Sequence, residues 1–227
     1  VSVEAAVAKN ANAEWKLVTK AERDALLATA TETRPVDATH LLVSPGFNRP
    51  AMLEGWNADR KGDFKDANLG VIDRGRRTNM VCEAYYLQSF EVNQTISNLP
   101  EGYYQVNMTG YYRDGSREAL QQKIANGATP ARHAMLYIEN KGKGDEVALP
   151  SIAAGMDQCP GIGWTGVAGE QPDNVMDAAE YFECGLYKVY THIIKVGPDG
   201  ELTIGVTKDK QVDNDWAVFD NFRLTYF

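Results

Sequence analysis

Trp216-Ala-Val-Phe-Asp-Asn-Phe-Arg-Leu-Thr-Tyr-Phe227 reads as a β-strand whose two faces differ in chemistry. Side chains alternate across a strand, so Trp216, Val218, Asp220, Phe222, Leu224 and Tyr226 are expected on one face. All but Asp220 are apolar or aromatic, and such a face belongs against a core. A carboxylate placed there is costly unless a metal, an arginine or backbone N–H groups satisfy it. Asp220 is therefore the sequence's best pointer to a bound ion.

Upstream, the chain has the same texture of short alternating runs broken by Gly, Pro, Asn and Asp. Tyr85 to Ile96 reads as one long strand, with Phe90, Val92, Gln94 and Ile96 alternating against Glu91, Asn93 and Thr95. Leu99-Pro-Glu-Gly102 then supplies turn residues, and Tyr104 to Tyr112 reads as the antiparallel partner in a hairpin. Ala134–Glu139, Tyr187–Val196 and Glu201–Thr207 add strands, and Gly197-Pro-Asp-Gly200 is expected to join the last two as a hairpin. Two short helices interrupt the pattern. Arg117–Ala125 follows Ser116, a suitable N-cap, and Val175–Cys184 follows Pro172-Asp-Asn174 and stops at Gly185. The pattern predicts a mainly β protein, an antiparallel β-sandwich of jelly-roll type with short helices in its loops.

The first 35 residues differ. Ala13 to Ala30 is rich in Ala, Leu, Glu and Lys, with Trp15, Val18, Leu26 and Ala30 near one face at helical spacing. The expectation is a helical segment over 1–35, or the tail of an upstream domain, followed by the sandwich over 36–227. Arg34-Pro35 marks the boundary, because proline disfavours helix in the residue before it.

The 227 residues suffice for a sizeable core, and the net charge of −8 excludes the basic surface that nucleic acid demands. The same charge disfavours an anionic membrane surface. No run of about 18 apolar residues occurs, so no membrane-embedded helix is expected. With no charged-then-apolar leader after Val1, the expectation is a protein that is not exported or one whose signal has been removed. Cys82, Cys159 and Cys184 have no zinc spacing; the expected reading is buried thiols, and the alternative is one disulfide with the third thiol free.

Two motifs carry a resemblance. Asp220-Asn-Phe-Arg-Leu224 resembles the closing strand of galactose-binding-like β-sandwich domains, which include many carbohydrate-binding modules. Ser44-Pro-Gly-Phe-Asn48 followed by Gly55-Trp56 is similar to their opening motif. Phe90 to Tyr104, Gly110-Tyr-Tyr-Arg113, Asp173-Asn-Val-Met176 with Tyr181-Phe182, and Leu202-Thr-Ile-Gly205 resemble a narrower subgroup found in secreted proteins of gut anaerobes. The resemblance runs in order over about residues 37–227. It implies the sandwich fold, a carbohydrate partner, and a secreted, periplasmic or cell-surface protein with additional domains. It also implies a structural calcium between the first and last strands, held by Asp220, carbonyls around Phe47, and the side chain of Asn48 or Glu54. This chain departs from the family at Asn48, where many relatives carry an acid. The alternative for Asp220 is a carboxylate held by backbone N–H groups or by an arginine.

Sugar recognition uses flat aromatic faces with polar groups around them. Trp164, in the loop Gly161-Ile-Gly-Trp-Thr-Gly166, is the leading candidate, with Tyr111, Tyr112 and Arg113 at a strand end. The alternatives are that Tyr112 is core and that Arg113 pairs with a local acid. The polar stretch Asp59 to Asn79 is expected to be a long loop walling a cleft, or simply a solvated one. His40, His133 and His192 are scattered, and no G-x-S-x-G elbow occurs, so no catalytic residue is assigned. The reading is a non-catalytic carbohydrate-binding module; the alternatives are a glycoside hydrolase with cleft carboxylates and a structural or adhesive interaction domain.

Overall fold

The computed structural model describes residues 6–8, 16–18, 25, 27–31, 33–48, 53–61, 80–86, 89–154, 171–210 and 212–227. Short strands β1 (Ala6–Ala8) and β2 (Lys16–Val18) pair antiparallel. Lys16–Val18 lies inside the stretch expected to be helical, so that helix does not run unbroken. Tertiary pairing overrides the modest helix preference of Leu and Lys there, and Val18 is at ease in a strand. Ala25 and Leu27 are helical, and Leu27 is buried in the main core.

The body is an antiparallel β-sandwich, as the sequence pattern predicts. One sheet contains β3 (Val36–Asp37), β5 (Cys82–Tyr85), β7 (Gly102–Arg113), β10 (Lys188–Tyr190), β11 (Ile194–Val196) and β13 (Trp216–Tyr226). The facing sheet has the order β4-β6-β12-β8-β9, with β4 Asn57–Lys61, β6 Ser89–Ile96, β8 Ala134–Asn140, β9 Lys143–Ala148 and β12 Leu202–Lys208. Phe90, Val92, Leu136, Ile138, Ile204 and Val206 of the five-stranded sheet meet Val106, Met108, Phe219, Phe222 and Leu224 of the other to form the core. Helices α1 (Arg117–Ala125) and α2 (Val175–Glu183) form as expected. Ser116 caps the first, and the Asn174 side chain accepts from the N–H groups of Met176 and Asp177 at the second.

Two expected hairpins are instead crossings between sheets. β6 pairs with β4 and β12, whereas β7 pairs with β10, β11 and β13, so residues 97–101 bridge the sandwich. The Gly197–Gly200 turn likewise carries the chain from β11 to β12 across the sandwich. The two crossings lie side by side: Leu99 N donates to Gly200 O at 2.9 Å, and Leu99 is buried. Gly200 has φ +63°, and a β-carbon there would lie 2.6 Å from Leu99 O. Only glycine accepts that conformation and that approach. Alternation says which side chains face inward, but not which sheet they face inward from. Pro and Gly serve both kinds of turn.

The expected long strand Tyr85–Ile96 is also divided. Tyr86 has φ +56°, and the chain passes there from β5 in one sheet to β6 in the other. Tyr187–Val196 is broken at Thr191, whose hydroxyl accepts from Val106 N at 3.2 Å in place of a regular ladder bond.

β13 spans almost the whole expected stretch, but its faces do not alternate uniformly. The register against β7 shifts between Asp220 and Arg223, with Asn221 at φ +56°. This bulge reverses the strand's faces. Before it, Ala217 and Phe219 point into the sandwich, while Trp216 and Val218 point outward; after it, Phe222 and Leu224 point inward. Trp216 and Val218 join Tyr111, Ala178, Ala179, Phe182 and Tyr187 in a second core beneath α2. The six residues expected on one face therefore serve two.

Candidate functional site

The opening and closing motifs converge as the resemblance implies. Phe222 N donates to Pro45 O at 2.9 Å, and the Trp56 indole donates to Val43 O and Ser44 O at 2.9 and 3.2 Å. Asp220 is wholly buried beside Gly46: a β-carbon on that glycine would sit 3.6 Å from Asp220 Oδ1 and 3.0 Å from Asn48 Nδ2. Calcium takes about six to eight oxygens. Here Asn48 Oδ1 accepts from Met80 N at 2.8 Å, Pro45 O from Phe222 N, and Ser44 O from Phe47 N and the Trp56 indole. Glu54 is exposed, and no cluster of three His, Cys, Asp or Glu groups suited to a metal occurs among the described residues. Asp220, Phe47 and Asn48 thus come together where the resemblance places a metal. The motif works as a joint between strands.

Tyr111, Tyr112 and Arg113 end β7, where each is buried. Tyr111 packs in the second core, its ring 5.3 Å from that of Trp216, and Tyr112 donates to Asp215 Oδ2 at 2.7 Å. Neither ring offers a face to a ligand, because both faces of this end of β7 are covered. Arg113 lies over the Trp216 ring at 5.0 Å, and its guanidinium reaches Gly115 O at 3.0 Å and Asp173 Oδ1 at 3.5 Å. Its donors fasten the strand end to neighbouring loops, the alternative that pairs it with a local acid. Trp164 and residues 62–79 lie outside the described residues. At the same end, Tyr85 and Tyr86 are each 45% exposed, with hydroxyls on Asn214 Oδ1 at 3.0 Å and Asp213 Oδ1 at 3.3 Å.

A different site lies on the outer face of the five-stranded sheet. Register places Asn57, Asn93, Gly205, Tyr137 and Glu146 in one row across β4, β6, β12, β8 and β9. Gly205 is the gap in that row. A β-carbon there would lie 2.9 Å from Tyr137 Cε1 and 2.4 Å from Val92 O, so the tyrosine ring lies over the glycine. The ring bridges β12, and its hydroxyl donates to Glu91 Oε1 on β6 at 2.5 Å. Asn93 Nδ2 donates to the same oxygen at 3.0 Å, and Asn57 Nδ2 donates to Asn93 Oδ1 at 3.2 Å. Around this fixed ring runs a shallow groove of about 350 Å³, lined by Glu91, Tyr137, Glu139, Asp145, Glu146 and Thr207 among others. Gly205 in mid-strand is the sequence signal for it; the register that sets Tyr137 opposite comes from the fold.

Burial, then the bond to Glu91, pushes the Tyr137 phenol well above its ordinary value; burial, then the bond to Asp215, does so for Tyr112. Tyr111 is raised by burial first and then by neighbouring Tyr187. The unfolded chain releases these protons near pH 10, and the folded chain above it. Between those values the folded state holds more protons, so stability falls as pH rises. The urea midpoint should therefore drop steeply above about pH 10, with these three phenols ionising only on unfolding. Tyrosinate absorbance that reaches its full value for all eleven tyrosines while the far-UV spectrum stays native would contradict this.

No protein-family model matches the chain, and no curated protein matches it. Solved structures show distant likeness. A carbohydrate-binding module, TmCBM61, in complex with β-1,4-galactotriose is 16% identical, covers 82% of this chain and 98% of its own, and has a TM-score of 0.46. The enzymatically active domain of tailspike protein 4 of bacteriophage CBA120 is 10% identical, with 84% and 22% covered and a TM-score of 0.43. A carbohydrate-binding module of lichenase 5A from Cellvibrio mixtus, in complex with cellotriose, is 11% identical, with 77% and 88% covered and a TM-score of 0.31. At such scores these likenesses carry no argument about this chain, whose fold rests on its own sheets.

Proposed function

We propose that the chain is a non-catalytic carbohydrate-binding module of a secreted or surface-attached glycan-handling protein, and that it binds on the outer face of the five-stranded sheet. One observation carries this reading: the Tyr137 ring is laid over Gly205 and fixed there by Glu91. A pre-set aromatic face costs little entropy to use, and the amides and carboxylates around it suit sugar hydroxyls. Tyr137→Ala is expected to weaken glycan binding at least about tenfold, an energy of about 1.4 kcal/mol, and to lower the melting temperature only in part, through loss of the ring's packing and its bond to Glu91, with the native far-UV spectrum retained. Calorimetric titration with hits from a glycan array measures it, and undiminished binding would sink the assignment.

The exposed Tyr85 and Tyr86 favour a second reading, in which sugars bind at the loop end. Binding that survives Tyr137→Ala but is lost in Tyr85→Ala or Tyr86→Ala would move the site there. Release of reducing ends from a bound polysaccharide would replace the non-catalytic reading with a hydrolase.

A further inference from the structure

The groove has a chemical bias that its shape does not require. Glu91, Glu139 and Glu146 direct three carboxyl groups to the face that carries Tyr137, and no lysine or arginine lines the groove among the described residues; Asp145, set opposite Ile138, turns the other way. His192 faces Asp145, with its backbone N–H on Oδ2 at 2.6 Å and its ring Nδ1 3.0 Å from Oδ1. Glu91 is turned onto the Tyr137 hydroxyl and the Asn93 amide, both neutral donors. The protein as a whole is acidic, with a net charge of −8. A uronate or a sulfated sugar seated on Tyr137 would bring its charge beside several like charges in a setting only partly screened by solvent.

We propose that this groove selects saccharide units bearing a free amine over their N-acetylated counterparts, and rejects acidic ones. The proposal rests on the reading of Tyr137 as the sugar platform. A protonated amine at the ring edge meets carboxylates from β6, β8 and β9, whereas acetylation removes its charge and leaves the rest of the sugar unchanged. Each carboxylate several ångströms away contributes only a fraction of a kcal/mol at physiological salt. Together they give a preference of about five- to tenfold.

The test is calorimetric titration of the unmodified chain with three probes: oligomers of glucosamine, of N-acetylglucosamine and of galacturonic acid. It is run below about pH 7, where the amine is protonated, at low and high salt. The expected order is amine, then acetylated, then acid. The gap between the first two should shrink as salt rises, and shrink again in the Glu139→Gln and Glu146→Gln variants. Equal affinity for all three, with binding lost in Tyr137→Ala, overturns the charge selection and leaves the platform standing. Binding of the three probes, and of the hits from a glycan array, that is indifferent to Tyr137→Ala, or absent throughout, overturns the platform and the selection together.

Discussion

Asp215→Ala is expected to cost about 3–5 kcal/mol of folding stability, the loss seen when one partner of a buried ion pair is removed. Lys208 Nζ lies 2.5 Å from Asp215 Oδ2, and the two side chains are 1% and 0% exposed. Tyr112 donates to the same carboxylate oxygen, so one carboxyl group receives a strand end of each sheet. Burial pulls the Lys208 ammonium below its ordinary range, and Asp215 opposes that pull. Without the carboxylate, the buried cation loses its hydrogen-bonded counter-charge and keeps only the weaker pull of Asp209, and the phenol loses its acceptor. Lys208→Met with Asp215→Leu should recover most of the loss, because no charge is then left buried. Urea unfolding of both single variants and the double variant measures the coupling. Two singles that lose less than about 1 kcal/mol each would place the pair among energetically silent ion pairs.

Trp56→Ala should be comparably severe, at about 3–5 kcal/mol. The indole sits 5.1 Å from the Phe47 ring and 4.7 Å from Phe222, so it fills the space between the opening motif and the closing strand. Its N–H also holds Val43 O and Ser44 O, and Gln94 Nε2 reaches Val43 O from β6 at 2.9 Å. Truncation leaves a cavity and strips donors from buried carbonyls together. Trp56→Phe retains most of the packing and should cost about 0.5–1.5 kcal/mol, because Gln94 Nε2 still donates to Val43 O and Phe47 N to Ser44 O. Similar losses for Ala and Phe would show that the hydrogen bonds, not the packing, hold the joint.

Strand positions were legible because burial imposes a period of two on Phe90-Val92-Ile96 and on Leu202-Ile204-Val206. Helix ends were legible because Ser116 and Asn174 cap them through their own side chains. The choice of sheet was not, since a residue facing inward does so identically from either side. Nor was the face reversal in β13, which depends on one bulged residue, Asn221. At the candidate site, Tyr111 and Tyr112 looked like ligand groups because they lie next to a loop. Their burial comes from α2 on one side and the opposite sheet on the other, neither of which their own neighbours in sequence announce. Nothing within the stretch Ala134–Glu139 singles out Tyr137. Its role appears only when the register sets it against Gly205, sixty-eight positions along the chain.

The reversal at Asn221 has a consequence for how this chain can change. Trp216 and Val218 turn outward where they answer to α2, and Phe222 and Leu224 turn inward where they answer to the facing sheet. The bulge is a seam: substitutions that reshape the helical cover are absorbed by Trp216 and Val218 without altering Phe222 or Leu224. A protein built this way can redesign one coat of its architecture while the sandwich beneath keeps its cut.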